Sequence, residues 1–186
     1  MVTSNAGKAA EVAAFFGGSL EVDTVALEIP EIRSSDVAQI ARGKALFAYR
    51  QLNTPLIVDD TGFFIQALGG FPGPYAAYVQ DTIGNTGILK LMEGISDRRA
   101  RFMTGISYAD AQNVQVFTGV LEGRIAISPR GNNGFGYDPI FETGEKTLAE
   151  LSIEEKGRIS HRGRALSLFH DWFVAQRVKT ADNANG

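Results

Sequence analysis

Leu56-Ile57-Val58-Asp59-Asp60-Thr61-Gly62-Phe63-Phe64 is the stretch around which the rest of the chain is read. Three apolar residues run into two adjacent carboxylates, and Thr-Gly then leads into a second apolar run over residues 63–68. A short, continuously apolar run predicts a buried strand. Acids at its end predict the place where an α/β sheet opens into a cleft. Two carboxylates there are costly to desolvate unless a cation or a firm set of donors meets them. Mg²⁺ suits, because it takes one or two carboxylates together with phosphate oxygens of a substrate. Asp-Asp-Thr-Gly is also an ordinary polar turn, so the stretch alone leaves turn and site both open.

Upstream, Met1-Val2-Thr3 can only end a strand, and Ser4-Asn5-Ala6-Gly7-Lys8 leads into a helical pattern with Val12, Phe15 and Phe16 on one face. Strand, small polar loop, Gly-Lys and helix form an anion site, since helix N-terminal amides and a lysine both favour phosphate. The competing reading is a plain N-cap at Ser4 or Asn5 with a solvated Lys8. Three residues are short for a buried strand, so a late start is expected, and an N-terminally extended form is expected to melt higher. Residues 19–27 read as a strand. Pro30 then fixes the path around Glu31, which can be held in place instead of waving free. Asp36 is a suitable N-cap for a helix to about Gln51, with Val37, Ile40, Ala41, Ala45 and Ala48 inward. Lys44 on that helix is either solvated or a cation reaching the cleft.

Downstream, residues 63–68 read as a second strand, residues 69–75 as a stiff, shaped loop, and residues 84–93 as a short helix. Residues 98–108 and 113–127 alternate in polarity, and Asp110-Ala111-Gln112-Asn113 between them is a hairpin turn. In Gly134-Phe135-Gly136-Tyr137-Asp138 the glycines leave the Phe135 ring open to a flat partner such as a nucleobase. They equally suit a ring tucked into the core. Ser152 with Glu155 has the shape of a capping box. Ser160 caps a final helix with Leu166, Phe169 and Phe173 as its buried stripe. His161 and Arg162 fall in its first turn, where the dipole disfavours cations, so they are expected to face something electron-rich.

The 186 residues are 44% hydrophobic with a net charge of −3. That suits one domain over residues 1–178, built as two lobes sharing a cleft, with residues 179–186 as a flexible tail. The acidic balance leaves no basic surface for a nucleic acid to wrap. With no cysteine and two histidines, disulfides and His- or Cys-built metal centres are excluded, and a cytoplasmic setting fits. No apolar run reaches membrane-spanning length.

Taken together, these pieces resemble the inosine triphosphate pyrophosphatase family, enzymes that remove non-canonical purine nucleotides, and its archaeal branch in particular. The likeness rests on Thr3-Ser4-Asn5-Ala6-Gly7-Lys8, Pro30-Glu31-Ile32, Val58 to Phe64, residues 69–75, Gly134 to Asp138, and Glu155-Lys156 with Ile159-Ser160-His161-Arg162, all in the family's order. The resemblance implies an elongated mixed β-sheet with flanking helices, two lobes, a central cleft and a homodimer. It implies that Thr3, Ser4, Asn5, Ala6, Gly7 and Lys8 grip the triphosphate, and that Glu31 and Asp60 hold Mg²⁺. Asp60 would activate water, with Asp59 in support. Thr61 stands where Ser is commoner and keeps a hydroxyl for phosphate. Phe135 would stack on the base, Gly136, Tyr137 and Asp138 would complete the pocket, and Lys156, His161 and Arg162 would read the base. The arginine that bacterial members carry after this loop has no counterpart, because Tyr75 is followed by Ala76-Ala77-Tyr78.

The expected reaction converts ITP, dITP or XTP to the monophosphate and pyrophosphate. Donors from His161 and Arg162 are expected to pair with the C6 oxygen and repel adenine's amino group. The alternatives are a binding module without chemistry and a hydrolase that releases only the terminal phosphate.

Overall fold

Every residue from Leu56 to Ile65 finds an antiparallel partner, running from Ala109 back to Ala100. This unbroken strand, β1 (Leu56–Ile65), is the centre of the fold. The computed structural model describes residues 1–30 and 32–184, and side chains through Val178. Around β1 stand α1 (Ala6–Phe16), α2 (Val37–Leu52), β2 (Pro72–Gly73), α3 (Ala76–Thr82), α4 (Gly84–Leu91), β3 (Arg99–Ala109), β4 (Val114–Ile125), β5 (Phe141–Thr143), β6 (Lys146–Thr147), α5 (Ile153–Ile159) and α6 (His161–Ala184). The sheet order is β2-β1-β3-β4-β5-β6. Neighbouring strands are antiparallel. Among the described residues, parallel pairing is confined to Val2, which bridges Val25 on one side and Val58 on the other.

Two expectations are corrected here. Residues 63–68 are not a second strand, because Thr61-Gly62 does not turn. Thr61 is β-branched, lies opposite Thr104, and carries the ladder straight through to Ile65. The acids therefore sit inside a strand and not at its end. Residues 19–27 do not form a strand, since only Val25 is bridged. A strand needs a partner along its length, and Met1–Thr3 offers one position. Helix α3, which follows the 69–75 loop directly, is an element the sequence reading left unassigned.

Side chains of β1 alternate between the two faces of the sheet. Leu56 and Val58 pack with Ala45 and Ala48 of α2, whereas Ile57 packs with Ala165, Leu166 and Phe169 of α6 and with Val12 of α1. The strand is thus covered on both faces, which is why it reads as continuously apolar. Further along the α6 face, Phe63 stacks between Phe102 and Tyr137, at ring separations of 4.6 and 4.5 Å. That aromatic cluster, with Ile140, Phe141 and Ile88 fully buried, is a separate hydrophobic core.

Local signals set the helix ends. The Asn5 side chain accepts from Lys8 N–H, Asp36 accepts from Ala38 N–H, and Ser152 with Glu155 forms the capping box. Ser160 Oγ accepts from Gly163 N–H at 3.0 Å and starts α6. The hairpin turn is held by Asp110 Oδ1, which accepts from Gln112 and Asn113 N–H. Gly119 on β4 lets α6 lie flush on the sheet, since a Cβ there would sit 2.0 Å from the His161 carbonyl oxygen. Helix α6 continues through Ala184, into the stretch read as a tail.

Candidate active site

A cavity of about 300 Å³ opens where the N-termini of α1 and α6 meet the aromatic core and the 134–138 loop, at the lower end of small-molecule sites. Asn5, Lys8, Thr61 and Arg162 line part of it. Phe102, Phe135, Gly136, Tyr137, Asp138, Lys156 and His161 line the rest, with Ala76, Ala77, Gln80 and Asp81 from α3. A larger groove of about 780 Å³, between residues 20–25 and the far end of α6, contains none of the motif residues.

Alternation along β1 sends the two acids opposite ways. Asp59 faces α6, where its carboxylate is fully enclosed. Lys8 Nζ lies 2.5 Å from Oδ1 and Arg162 Nε lies 2.7 Å from Oδ2. Burial alone would push the Asp59 carboxyl up, but Arg162 and Lys8 outweigh it and hold it well below the usual carboxylate range. Lys8 Nζ also donates to the Asp59 carbonyl at 3.1 Å. Asp60 faces α2, and Lys44 Nζ meets its Oδ1 at 2.6 Å. Burial pushes the Asp60 carboxyl up, and Lys44 only partly offsets this. Lys44 is therefore paired with Asp60 and not solvated.

Arg162 is 2% exposed. Its guanidinium donates to Asp59, to Glu11 of α1 and to Thr61 Oγ1. Lys156 Nζ sits 2.5 Å from both Glu11 and Asp138. Burial raises the Asp138 carboxyl, and Lys156 opposes it. Asp138 in turn accepts from Phe135 N–H at 2.8 Å, which shapes the glycine loop. The result is one chain of alternating charge, Lys8–Asp59–Arg162–Glu11–Lys156–Asp138. Buried charges persist only when paired in this way. The dipole penalty on the first turn of α6 is resolved along with it, because Arg162 is met by two carboxylates and His161 is neutral. Burial drives the His161 pKa well below its ordinary value, and Arg162 and Lys156 add to that.

The Phe135 ring is half-buried and lines the cavity, settled against Gly7 so closely that a Cβ there would lie 2.5 Å from it. Lys156 Nζ is 4.8 Å from the ring centroid. Tyr137 donates to the Ala76 carbonyl at 2.8 Å, and Asn85 donates to the Gly136 carbonyl at 2.9 Å. These two bonds fasten the glycine loop to α3 and α4. Thr3 Oγ1 accepts from Asn5 N–H at 3.1 Å, Ser4 and Ala6 are exposed beside it, and Glu31 lies outside the described residues.

The structure thus gathers Asn5, Lys8, Thr61, Phe135, Gly136, Tyr137, Asp138, Lys156, His161 and Arg162 around one cavity. Asp60 stands one peptide away, on the other face of β1. Reasoning from the residues alone missed Glu11, Thr104 and the α3 wall. Glu11 gave little signal, since an acid on a helix is usually solvated.

For a metal, the donor chemistry of Asp60 is suitable. One oxygen is taken by Lys44, and the other has no hydrogen-bond partner among the described residues. No cluster of three or more metal-ligating side chains exists among the described residues.

The sequence profile of the Ham1 family matches residues 1–172. A dITP/XTP pyrophosphatase of Methanopyrus kandleri is 49% identical over 177 residues, covering 92% of this chain and 93% of that protein. One of Thermococcus kodakarensis is 45% identical over 174 residues, covering 92% and 94%. Among solved structures, the Staphylococcus aureus Ham1 protein superposes with a TM-score of 0.80 at 32% identity, covering 94% of this chain and 98% of that one. Fold, order of motifs and relatives agree that this chain belongs to the Ham1 family.

Proposed function

We propose that the chain hydrolyses non-canonical purine nucleoside triphosphates, ITP, dITP and XTP, to the monophosphate and pyrophosphate. The observation that carries this reading is the placement of a base-sized pocket and a polyanion grip in one cavity, next to a buried carboxylate raised above its ordinary pKa. The names of the archaeal relatives support it.

The phosphates lie at the Lys8 end, where Lys8 Nζ and the first turn of α1 supply positive potential. A water oxygen attacks the α-phosphorus and the α–β bridging P–O bond breaks. The proton of the water passes to Asp60, and the bridging oxygen departs with pyrophosphate. Charge grows on that oxygen in the transition state, so the preset donors of Lys8 and the α1 amides act most strongly there. Mg²⁺ is the cation that would suit, with Asp60 and Glu31 as the carboxylates that would hold it, and when bound it would neutralise developing phosphate charge. At the other end Phe135 stacks on the base. The remaining N–H groups of Lys156 and Arg162 pair with a C6 oxygen, where adenine would set an amino donor against them.

Exposed Tyr75 and Tyr78, at 54% and 68%, stand beside the α3 wall and supply apolar surface for a second copy in a homodimer. No helix among the described residues is long and apolar enough to cross a membrane. The test is a substrate panel with product identification in Mg²⁺. Pyrophosphate and monophosphate from ITP and XTP, with ATP at least about 10³-fold slower in kcat/KM, are expected. Orthophosphate and a diphosphate would show terminal-phosphate release instead, and no turnover would show a binding module.

A further inference from the structure

His161 lies against Phe102, with ring centroids 4.7 Å apart and planes 23° from parallel. Among the described residues its one polar partner is Thr104, whose Oγ1 is 2.6 Å from Nδ1. Thr104 is fully buried on β3, and its hydroxyl also lies 2.6 Å from Thr61 Oγ1, its cross-strand neighbour. Thr61 Oγ1 is in turn 3.1 Å from Asp59 Oδ1. Four groups thus form one line, from a ring that borders the cavity to a carboxylate that does not.

The protons in this line can be counted. Each hydroxyl has one to give. Asp59, clasped by Lys8 and Arg162, is a carboxylate and only accepts. Thr61 therefore gives its proton to Asp59, and Thr104 gives its proton to Thr61. The contact at Nδ1 must then be donated by the ring. The reverse order would set the Thr61 oxygen against the Asp59 oxygen with no proton between them, losing the charge-assisted bond that ends the line. We infer that His161 is fixed as its Nδ1–H tautomer and presents Nε2 to the cavity as a hydrogen-bond acceptor for the N1–H of a 6-oxopurine. A neutral imidazole carries one N–H. With Nδ1 turned to a buried hydroxyl, Nε2 is the ring nitrogen left for a ligand.

This inference rests on the reading of the cavity as a purine site, and it changes what His161 does there. The C6 oxygen falls to the cations alone. Hypoxanthine and xanthine offer a proton at N1, and the adenine N1 offers a lone pair, so adenine would set acceptor against acceptor. Guanine shares the N1 proton and is not separated by this contact. Thr104 is a positioning residue, acting through the histidine.

The chain has two histidines. His170→Gln, at a side chain 40% exposed, leaves the His161 ring as the single imidazole in a ¹⁵N-labelled sample of the full chain. Long-range ¹H–¹⁵N spectra at neutral pH are expected to show a protonated Nδ1 and a bare Nε2. An Nε2–H tautomer or an imidazolium would overturn the inference, whatever the protein hydrolyses. As a second arm, Thr104→Val is expected to lower the ITP-to-ATP ratio of kcat/KM by about 10-fold or more, with Thr104→Ser retaining both the ratio and the tautomer. A folded Thr104→Val protein with the wild-type ratio would also overturn it. Failure of the wild type to hydrolyse ITP, with the Nδ1–H signal present, would count against the purine reading and leave the tautomer standing.

Discussion

Lys44 Nζ lies 2.6 Å from Asp60 Oδ1, bringing the middle of α2 to the middle of β1. Both side chains are largely shielded from water, so the pair acts on the acidity of Asp60 more than a surface ion pair would. Asp60 must be ionised to take a proton, and burial sets its folded pKa above the ordinary value for an aspartate. Activity is therefore lost as pH falls through that raised pKa. Lys44 opposes the rise, so Lys44→Met should move the acid limb of the kcat–pH profile to higher pH. A limb that stays in place or moves down would rule out Asp60 as the titrating base.

The two aspartates should fail in different ways. Asp60→Asn keeps a buried amide of the same shape and is expected to lower turnover by at least about 10²-fold with little change in melting temperature. Asp59→Asn leaves Arg162 buried with one carboxylate fewer and is expected to cost at least about 3 kcal/mol of stability, read by urea unfolding. The folded pKa of Asp59 is depressed, so its contribution is present above the unfolded value, about 3.9. It is lost as pH falls below that value. The wild type should accordingly lose stability more steeply than Asp59→Asn on acidification below about pH 4. Parallel acid curves for the two proteins would sink this account.

Phe135→Ala separates a stacking ring from a packing one. Loss of base stacking is worth about 1–3 kcal/mol, or roughly 5- to 150-fold in kcat/KM for ITP. Because the ring also rests on Gly7, a modest drop in melting temperature accompanies it. A large drop in melting temperature with an unchanged KM would mean that the ring serves the core.

Gly119→Ala reaches the site without touching it. The new methyl would meet the His161 carbonyl at 2.0 Å and Ala165 N at 2.7 Å, so the first turn of α6 must lift from the sheet. Overpacking of this kind costs about 1–3 kcal/mol. Displacing His161 and Arg162 together should lower kcat/KM for ITP by more than about 10-fold. A melting curve and a kinetic assay on the same preparation check both parts.

The helices and the β3–β4 hairpin were legible in the sequence because their signals are local. Asp36, Ser152 and Ser160 cap where they stand, and the Asp110 turn closes where it is written. The extent of β1 was not legible. Thr61-Gly62 has the composition of a turn, and only the facing ladder of β3 overrides it. Residues 19–27 failed for the opposite reason, since their strand-like composition has no partner beyond Val2. Six motif segments identified the site's members, but not how they pair. That Asp59 anchors Arg162 while Asp60 meets Lys44 follows from the pleat of a strand whose length was misread. Glu11 was overlooked because an acid on a helix is usually solvated, and nothing local announces two buried cations arriving from α5 and α6.

Consecutive aspartates on opposite pleats carry one more implication. If β1 slid by a single residue against β3, Asp59 would turn to Lys44 and Asp60 to Arg162, and each carboxylate would still find a cation. The acids cannot tell the right alignment from the wrong one. Gly62 and Phe63 can, because a side chain brought to the Gly62 position meets Val37 of α2 within 2.9 Å. A slipped Phe63 would arrive on that crowded side. Fidelity of the hydrolytic centre is thus guarded by two residues that perform no chemistry.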